Sequence, residues 1–140
     1  MTRLKRNEGH DEERKAGGLL PDTVEERSAL LTSIFAQFPE GMAFVGADMV
    51  IRAANEIFAK RTRVPLDQII GRPAKEAVPL TLRQAGHIYE EVRKTGKPFR
   101  SEGYPFTFKE PRGTGITYWD FTVSPVYGDD GSFLGYLLRS

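Results

Sequence analysis

Asp120 and Ser124 come nearest to a catalytic arrangement in this sequence. They lie in the apolar segment ITYWDFTVSPV, where strand geometry would place both on one face. A serine nucleophile needs a histidine base, and neither His10 nor His87 is placed to supply one. Asp120 could act alone as a general base inside an apolar pocket, but strand alternation puts it opposite Trp119. A small α+β enzyme therefore remains an alternative, and we expect no catalytic activity.

Aromatic side chains are the other residues of the sequence that could form a functional site. The sequence has nine Phe, five Tyr and one Trp in 140 residues. At strand or helix spacing such residues usually fill a core, and that is the more common outcome. With a few polar tips they also line cavities for small molecules. The candidates for a ligand cavity are Phe44, Phe58, Ile70, Ile88, Tyr89, Tyr104, Trp119 and Phe121.

The composition excludes several classes of function. Cysteine is absent and histidine occurs twice, which removes disulfides, thiolate chemistry and histidine-rich metal sites. The charges, 20 Lys and Arg against 19 Asp and Glu, give no reason to expect a nucleic-acid or membrane partner. No apolar run approaches the roughly 20 residues that span a bilayer, and the N-terminus lacks a signal-peptide core. The sequence predicts a soluble cytoplasmic protein with one domain and no metal.

Residues 1–21 mix both charge signs without an apolar period, which predicts a flexible tail. A flanking helix is predicted over residues 22–38, because Thr23 and Glu26 have the spacing of a capping box and Pro39 closes the segment. The apolar residues that share one side of this helix are Val24, Leu31, Ile34 and Phe38. That side could cover the domain's own sheet or pair with a second copy, and we expect a homodimer in which both surfaces contribute.

Residues 39–140 form the predicted domain, which opens with GMAFVGADMVIRAAN. Two apolar runs, 42–45 and 50–54, flank a turn that contains Gly and Asp, and this pattern predicts a β-hairpin. Asn55 is then the predicted cap of a helix. A second short helix is expected over residues 65–70, ending at Gly71.

The clearest predicted helix is capped by Thr81 and ends at Gly96. Its apolar side comprises Leu82, Ala85, Ile88, Tyr89 and Val92. Three strand candidates follow, namely PFRSEGYPFTF, ITYWDFTVSPV and SFLGYLLRS, the last two joined through a turn at Asp130 and Gly131. A hairpin, then helices, then three strands predict an α+β domain.

Four segments in this order and spacing resemble the PAS domain family over about residues 30–140. They are FPEGMAFVGADMVIRAANEIFAKRT, LDQIIGRP, KTGKPF and YWDFTVSPVYGDDGSFLGYLLRS. The resemblance implies a five-stranded antiparallel sheet in the order 2-1-5-4-3, with helices on one face forming a wall of an internal cavity. It also implies a sensory or dimerising module of a signal-transduction protein, such as a two-component system, whose effector or signalling partner is not in this chain.

The resemblance raises two cofactors, although none is required. Some PAS domains bind haem through a histidine on the helix that carries His87, but here that residue lies nearly opposite the apolar side. Flavin photochemistry in the family needs a cysteine that this chain lacks, whereas a redox flavin beside Trp119 stays open. PAS domains commonly continue into a helical linker, and this sequence stops at Ser140. Either a piece of a longer protein or a domain without attached output is consistent with that.

Overall fold

The computed structural model describes residues 18–108 and 115–140. Most of the predicted flexible tail, residues 1–17, lies outside the described residues. The chain separates into two units, one ending at Gln37 and the other formed by Phe38–Ser140.

Helix α1 spans Val24–Gln37, and one of the two hydrogen bonds of the predicted capping box is present at its start. The Glu26 N–H donates to Thr23 Oγ1 at 3.1 Å, which satisfies one of the free amides of the first turn. The helix ends one residue earlier than predicted, because Pro39 disfavours helical backbone at Phe38. None of its residues is buried. Its exposed apolar side chains include Val24, Leu30, Leu31 and Ile34.

The second unit contains a five-stranded antiparallel sheet in the order β2-β1-β5-β4-β3, which confirms the predicted topology. The strands are β1 Met42–Gly46, β2 Ile51–Ala54, β3 Phe99–Phe108, β4 Gly115–Tyr127 and β5 Phe133–Arg139. The last strand lies at the centre, between β1 and β4. Its pairing with β1 continues just beyond the strand ends, where Gly41 and Ser140 exchange backbone hydrogen bonds of 2.8 and 2.9 Å.

The β1–β2 hairpin turns tightly through residues 47–50. Met49 has a φ of 64°, a left-handed conformation that is uncommon for a residue other than glycine. Asp48 holds the turn, since its Oδ1 accepts the Val50 N–H at 3.1 Å and its Oδ2 pairs with Arg52 at 2.7 Å. The Val50 N–H also keeps the pKa of Asp48 below its ordinary value.

Three α-helices and one 3-10 helix connect β2 to β3. They are α2 Glu56–Thr62, the 3-10 helix Leu66–Gln68, α3 Ala74–Ala77 and α4 Pro79–Thr95. Asn55 caps α2 as predicted, because its Oδ1 accepts the Phe58 N–H at 3.0 Å. The second helix expected from the sequence is the 3-10 helix, shorter than predicted.

Helix α4 begins two residues before its predicted cap, Thr81. Pro79 occupies its first turn, where the missing N–H of proline costs no hydrogen bond. The helix ends as predicted at Gly96, whose φ of 69° is left-handed.

The core of this unit lies between the sheet and the helices that connect β2 to β3. Its fully buried large side chains are Ile51, Ile69, Val92 and Val123. These residues come from β2, the 3-10 segment, α4 and β4, so the core joins both halves of the sheet to the helices. Burial of apolar area of this kind is the main stabilising contribution in a small domain.

Candidate ligand cavity

Helix α4 contributes one wall of an apolar cavity. Leu82, Ala85 and Tyr89 follow each other at three- and four-residue spacing, so they share the side of α4 that faces the sheet. Ala85 is 1% exposed. Because its side chain is a single methyl group, it leaves space that a larger residue would fill.

Strand β4 contributes the opposite wall. Trp119 and Phe121 alternate with polar residues along the strand and point toward the helices. The Trp119 Nε1–H donates to Thr117 Oγ1 at 2.7 Å, which fixes one edge of the indole. Phe106 of β3 meets the Trp119 ring edge-on, with the ring centroids 6.3 Å apart. The aromatic wall is therefore braced by hydrogen bonding and by ring packing.

The cavity enclosed by these walls has a volume of about 70 Å³. Its lining is almost entirely apolar and comprises Val45, Ile51, Phe58, Thr62, Ala74, Val78, Leu82, Ala85, Tyr89, Phe106, Trp119, Phe121, Leu138, Arg139 and Ser140. Thr62 is polar, but its hydroxyl donates to the Phe58 carbonyl at 2.9 Å within α2.

The structure brings together part of the set predicted from the sequence. The predicted residues that line the cavity are Phe58, Tyr89, Trp119 and Phe121. Ile88 is buried in the core but does not reach the cavity. Tyr104 packs against the rings of Phe106 and Phe121 and its hydroxyl donates to the Gln84 carbonyl at 3.1 Å.

Two predicted cavity residues point away from the interior. Ala43 and Val45 are the inward side chains of β1, so alternation places Phe44 on the outer face of the sheet. Ile70 is 44% exposed, whereas its neighbour Ile69 is fully buried. The 3-10 helix Leu66–Gln68 ends before both residues, and of the two it is Ile69 that enters the core.

The cavity residues missing from the prediction are mainly small or aliphatic. Ala74 and Ala85 create the space, and Val45, Val78 and Leu138 complete its sides. Ala85 had already been placed on the apolar side of its helix, which was a usable signal. A small side chain at an inward position leaves space in the core, so it can indicate a cavity as well as an aromatic side chain can.

Tyr89 supplies a polar group to this apolar space. Within the described residues its hydroxyl makes no hydrogen bond, and this oxygen is not fully buried. Burial raises the pKa of Tyr89 well above its ordinary value, and the adjacent Tyr136 adds to the shift. The two rings meet edge-on with centroids 5.0 Å apart. The hydroxyl therefore stays neutral at ordinary pH and keeps its capacity to donate and accept a hydrogen bond.

Neither haem nor flavin fits the cavity as it is shaped here. A volume of about 70 Å³ is well below the roughly 300 Å³ at which ordinary sites for larger ligands begin. His87 is exposed on the polar side of α4 and does not line the cavity. Among residues 18–108 and 115–140, no group of three or more His, Cys, Asp or Glu side chains could hold a metal ion.

The position of Asp120 decides against its use as a base in this cavity. Trp119 lines the cavity and Asp120 does not, as alternation along β4 requires. Asp120 Oδ1 instead accepts the Gly103 N–H at 2.8 Å, at an irregularity in the pairing of β3 with β4. The catalytic alternative therefore loses the one residue proposed to carry it.

The family of the chain follows from its sequence and its fold together. A family model described as PAS fold matches residues 35–140, which is more than half of the chain. The chain belongs to the PAS fold family, with the strand order and helical wall described above. The comparison with curated proteins found no match.

Solved structures share this fold at low sequence identity. The PAS domain of a protein from Colwellia psychrerythraea has a TM-score of 0.62 and 15% identity, covering 80% of this chain and 92% of that one. A sensory box sensor histidine kinase from Vibrio cholerae has a TM-score of 0.57 and 19% identity, covering 80% and 88%. VqmA bound to DPO has a TM-score of 0.62 and 21% identity, covering 79% and 56%. These similarities establish the fold alone.

Among the helices that the structure describes, none combines the length and apolar character that crossing a bilayer requires.

Proposed function

We propose that this PAS domain is a sensory module that binds a small molecule with an apolar body in the cavity between α4 and β4. The observation that carries the proposal is an almost entirely apolar cavity between α4 and β4 whose lining includes Tyr89, a buried residue whose hydroxyl makes no hydrogen bond within the described residues. A hollow of this kind costs stability unless something fills it, because its wall lacks packing partners on one side.

The volume limits the size of the ligand. An engineered apolar cavity of about 150 Å³ holds benzene, so the 70 Å³ here suits an apolar body of about three to five carbon atoms. A hydrogen-bond acceptor on that body would find the Tyr89 hydroxyl. The proposal requires no haem or flavin.

Ligand binding would act by favouring one arrangement of the cavity wall over another. The wall includes Leu138 of the central strand β5 and Ser140, which follows that strand. Strand β5 joins the two halves of the sheet. A ligand that holds this wall in place would pass its effect to the segments on either side of the domain. The similarity of the fold to VqmA bound to DPO and to the sensor histidine kinase supports a sensory role in a signalling protein.

The test uses the single tryptophan of the chain, which lies in the cavity wall. Pentanamide, a neutral molecule of suitable size, should cause a saturable change in Trp119 fluorescence. Ala85→Leu, which fills the cavity from α4, should abolish that change. Ala36→Leu on the exposed surface of α1 is the matched control and should leave it unaltered. Native mass spectrometry of the purified chain would in addition detect a ligand retained from the cell.

If the fluorescence change does not saturate with pentanamide, the cavity takes no ligand of this kind. The same conclusion follows if Ala85→Leu leaves the saturable change intact. Thermal unfolding of Ala85→Leu and Ala36→Leu shows whether each variant is folded, so a loss of binding can be told from a failure to fold.

We infer a second role, homodimer formation through α1. Val24 is 74% exposed, Leu31 50% and Ile34 47%, and no residue of this helix is buried. Exposed apolar residues at helical spacing are typical of a surface that pairs with a second helix. We also place the domain in the cytoplasm, which suits a chain without cysteine, with its effector or signalling partner outside this chain.

A further inference from the structure

A larger open hollow adjoins the apolar cavity, and we call it the vestibule. It has a volume of about 730 Å³ and lies where β5 ends beside β4. The residues that line both spaces are Trp119, Phe121, Arg139 and Ser140. The cavity and the vestibule therefore share a boundary, and a molecule whose body fills the first would present its other end to the second.

The two spaces differ in chemistry. The cavity is apolar, whereas the vestibule has charged residues of both signs in its lining, namely Glu40, Arg61, Arg100, Glu102, Asp120 and Arg139. Two of the acidic groups are already engaged. Glu102 pairs with Arg100 at 3.6 Å, and Asp120 accepts the Gly103 N–H at 2.8 Å.

Arg61 and Arg139 are the cations left for a ligand. Within the described residues, neither guanidinium makes an ion pair or a side-chain hydrogen bond. Arg61 lies in the last turn of α2, and Arg139 is the last residue of β5 and also lines the cavity. Arg139 therefore lies at the boundary of the two spaces, and Arg61 lies in the wall of the vestibule.

We propose that the ligand is a short-chain monocarboxylate, with its apolar body in the cavity and its carboxylate in the vestibule beside Arg61 and Arg139. This inference rests on the proposed function, since it assigns the head group of the molecule whose body the cavity takes. Guanidinium groups bind carboxylates through paired hydrogen bonds, so they select this head group over a neutral one.

The acidic residues of the vestibule set the charge of the head group. Positive and negative residues are present in equal number among the described residues of its lining, so a doubly charged phosphate would meet about twice the repulsion from these carboxylates that a single carboxylate meets. An ammonium group would instead face Arg61 and Arg139. A single negative charge suits this lining better than either alternative.

Three molecules of matched size test the head group, with Trp119 fluorescence of the full chain at pH 7 as the measurement. They are pentanoate, which is ionised at this pH, its neutral counterpart pentanamide, and pentylamine, which is a cation. Pentanoate should bind at least about fivefold more tightly than pentanamide, the modest gain expected of charge-assisted hydrogen bonds at an exposed site. Pentylamine should bind more weakly than both.

Charge-removing variants test the residues. Arg61→Gln and Arg139→Gln should each weaken pentanoate binding about threefold or more while leaving pentanamide binding unchanged. Arg83→Gln is the matched control, because Arg83 is exposed on α4 and lines neither space. It removes the same charge and should alter neither dissociation constant.

The result that overturns this inference differs from the result that overturns the proposed function. If pentanoate and pentanamide bind equally, or if Arg83→Gln weakens pentanoate as much as the vestibule variants, the carboxylate assignment is wrong and the cavity still holds a ligand. If none of the three molecules gives a saturable change that Ala85→Leu removes, the proposed function itself fails.

Discussion

Asn55 and Met42 are joined by a hydrogen bond in which the Met42 N–H donates to Asn55 Oδ1 at 3.0 Å. The same oxygen accepts the Phe58 N–H, and the Asn55 Nδ2 donates to the Glu40 carbonyl at 2.9 Å. Asn55 is 3% exposed. One side chain thus caps α2 and ties it to the start of β1.

We expect Asn55→Ala to destabilise the domain by about 3 kcal/mol, because it removes a helix cap and leaves buried backbone groups without partners. Asn55→Asp is the matched control. It keeps an oxygen for Met42 and Phe58, and two charge-assisted hydrogen bonds at a helix N-terminus offset part of the cost of burying a carboxylate against the Glu40 carbonyl, so its loss should be smaller. Urea unfolding measures both. Equal losses would show that the shared oxygen is not the stabilising atom.

Gly135 in β5 should tolerate no side chain. Its φ is +152°, and an added Cβ would lie 2.1 Å from the Val45 carbonyl oxygen and 2.9 Å from Gly46 Cα. Both atoms belong to the backbone of β1 and cannot move aside. Gly135→Ala should therefore cost about 4 kcal/mol or more, from overpacking and an unfavourable backbone conformation together.

The matched control for this prediction is Gly71→Ala. Gly71 also has a positive φ, +82°, but an added Cβ would meet no atom within 4 Å. Its cost should be only the conformational one, roughly 1–2 kcal/mol. Thermal and urea unfolding compare the two, and a similar cost at both positions would refute the steric explanation.

The stability of the domain should fall at alkaline pH because of Tyr89. Burial raises the pKa of its hydroxyl, so above pH about 10 the unfolded chain releases this proton while the folded domain still holds it. The contribution is fully present below pH about 10 and is lost as the pH rises beyond it, by about 1 kcal/mol per pH unit. Tyr136, whose pKa burial also raises, adds to the effect.

Urea unfolding of the native chain and of Tyr89→Phe between pH 8 and pH 11 measures how steeply the free energy of unfolding falls with pH. The expected slope corresponds to the release of about one proton. The phenylalanine variant has no proton to release at this position, so its stability should decline less steeply. Parallel curves for the two proteins would show that Tyr89 titrates normally.

Oligomeric state tests the exposed side of α1. The double variant Leu31→Glu with Ile34→Glu should convert a dimer to a monomer, since two carboxylates would face the partner helix. Thr32→Glu with Ser33→Glu adds the same charge on the other side of the helix and should leave the dimer intact. Size-exclusion chromatography with light scattering gives the mass of the native chain and of both double variants. If all three have the same mass, the proposal of a dimer formed through α1 is wrong.

Local hydrogen-bonding signals explain why much of the fold could be predicted from the sequence. Thr23 and Asn55 satisfy free amides at helix starts within a few residues, so their neighbours in sequence identify them. Gly96 ends α4 for an equally local reason. Strand alternation likewise placed Trp119 and Asp120 on opposite faces of β4.

The cavity could be predicted only in part, because a hollow depends on distant residues together. Alternation gives two faces for β1 but does not state which one meets the helices, and Phe44 was a candidate because it is aromatic. Ile70 was predicted to face the cavity, but Ile69 is the residue that is buried. The local structure here is a short 3-10 helix, which the sequence did not indicate. The vestibule gave no sequence signal at all, since Arg61 and Arg139 are far apart along the chain.

The reciprocal backbone hydrogen bonds of Gly41 and Ser140 place the two ends of the domain at one corner, and Ser140 also belongs to the cavity wall. A mechanical load on either end would therefore pull on the same pair of peptide groups. Because Ser140 lines the cavity, tension on that pair would act directly on the cavity wall, and the proposed ligand would oppose the deformation.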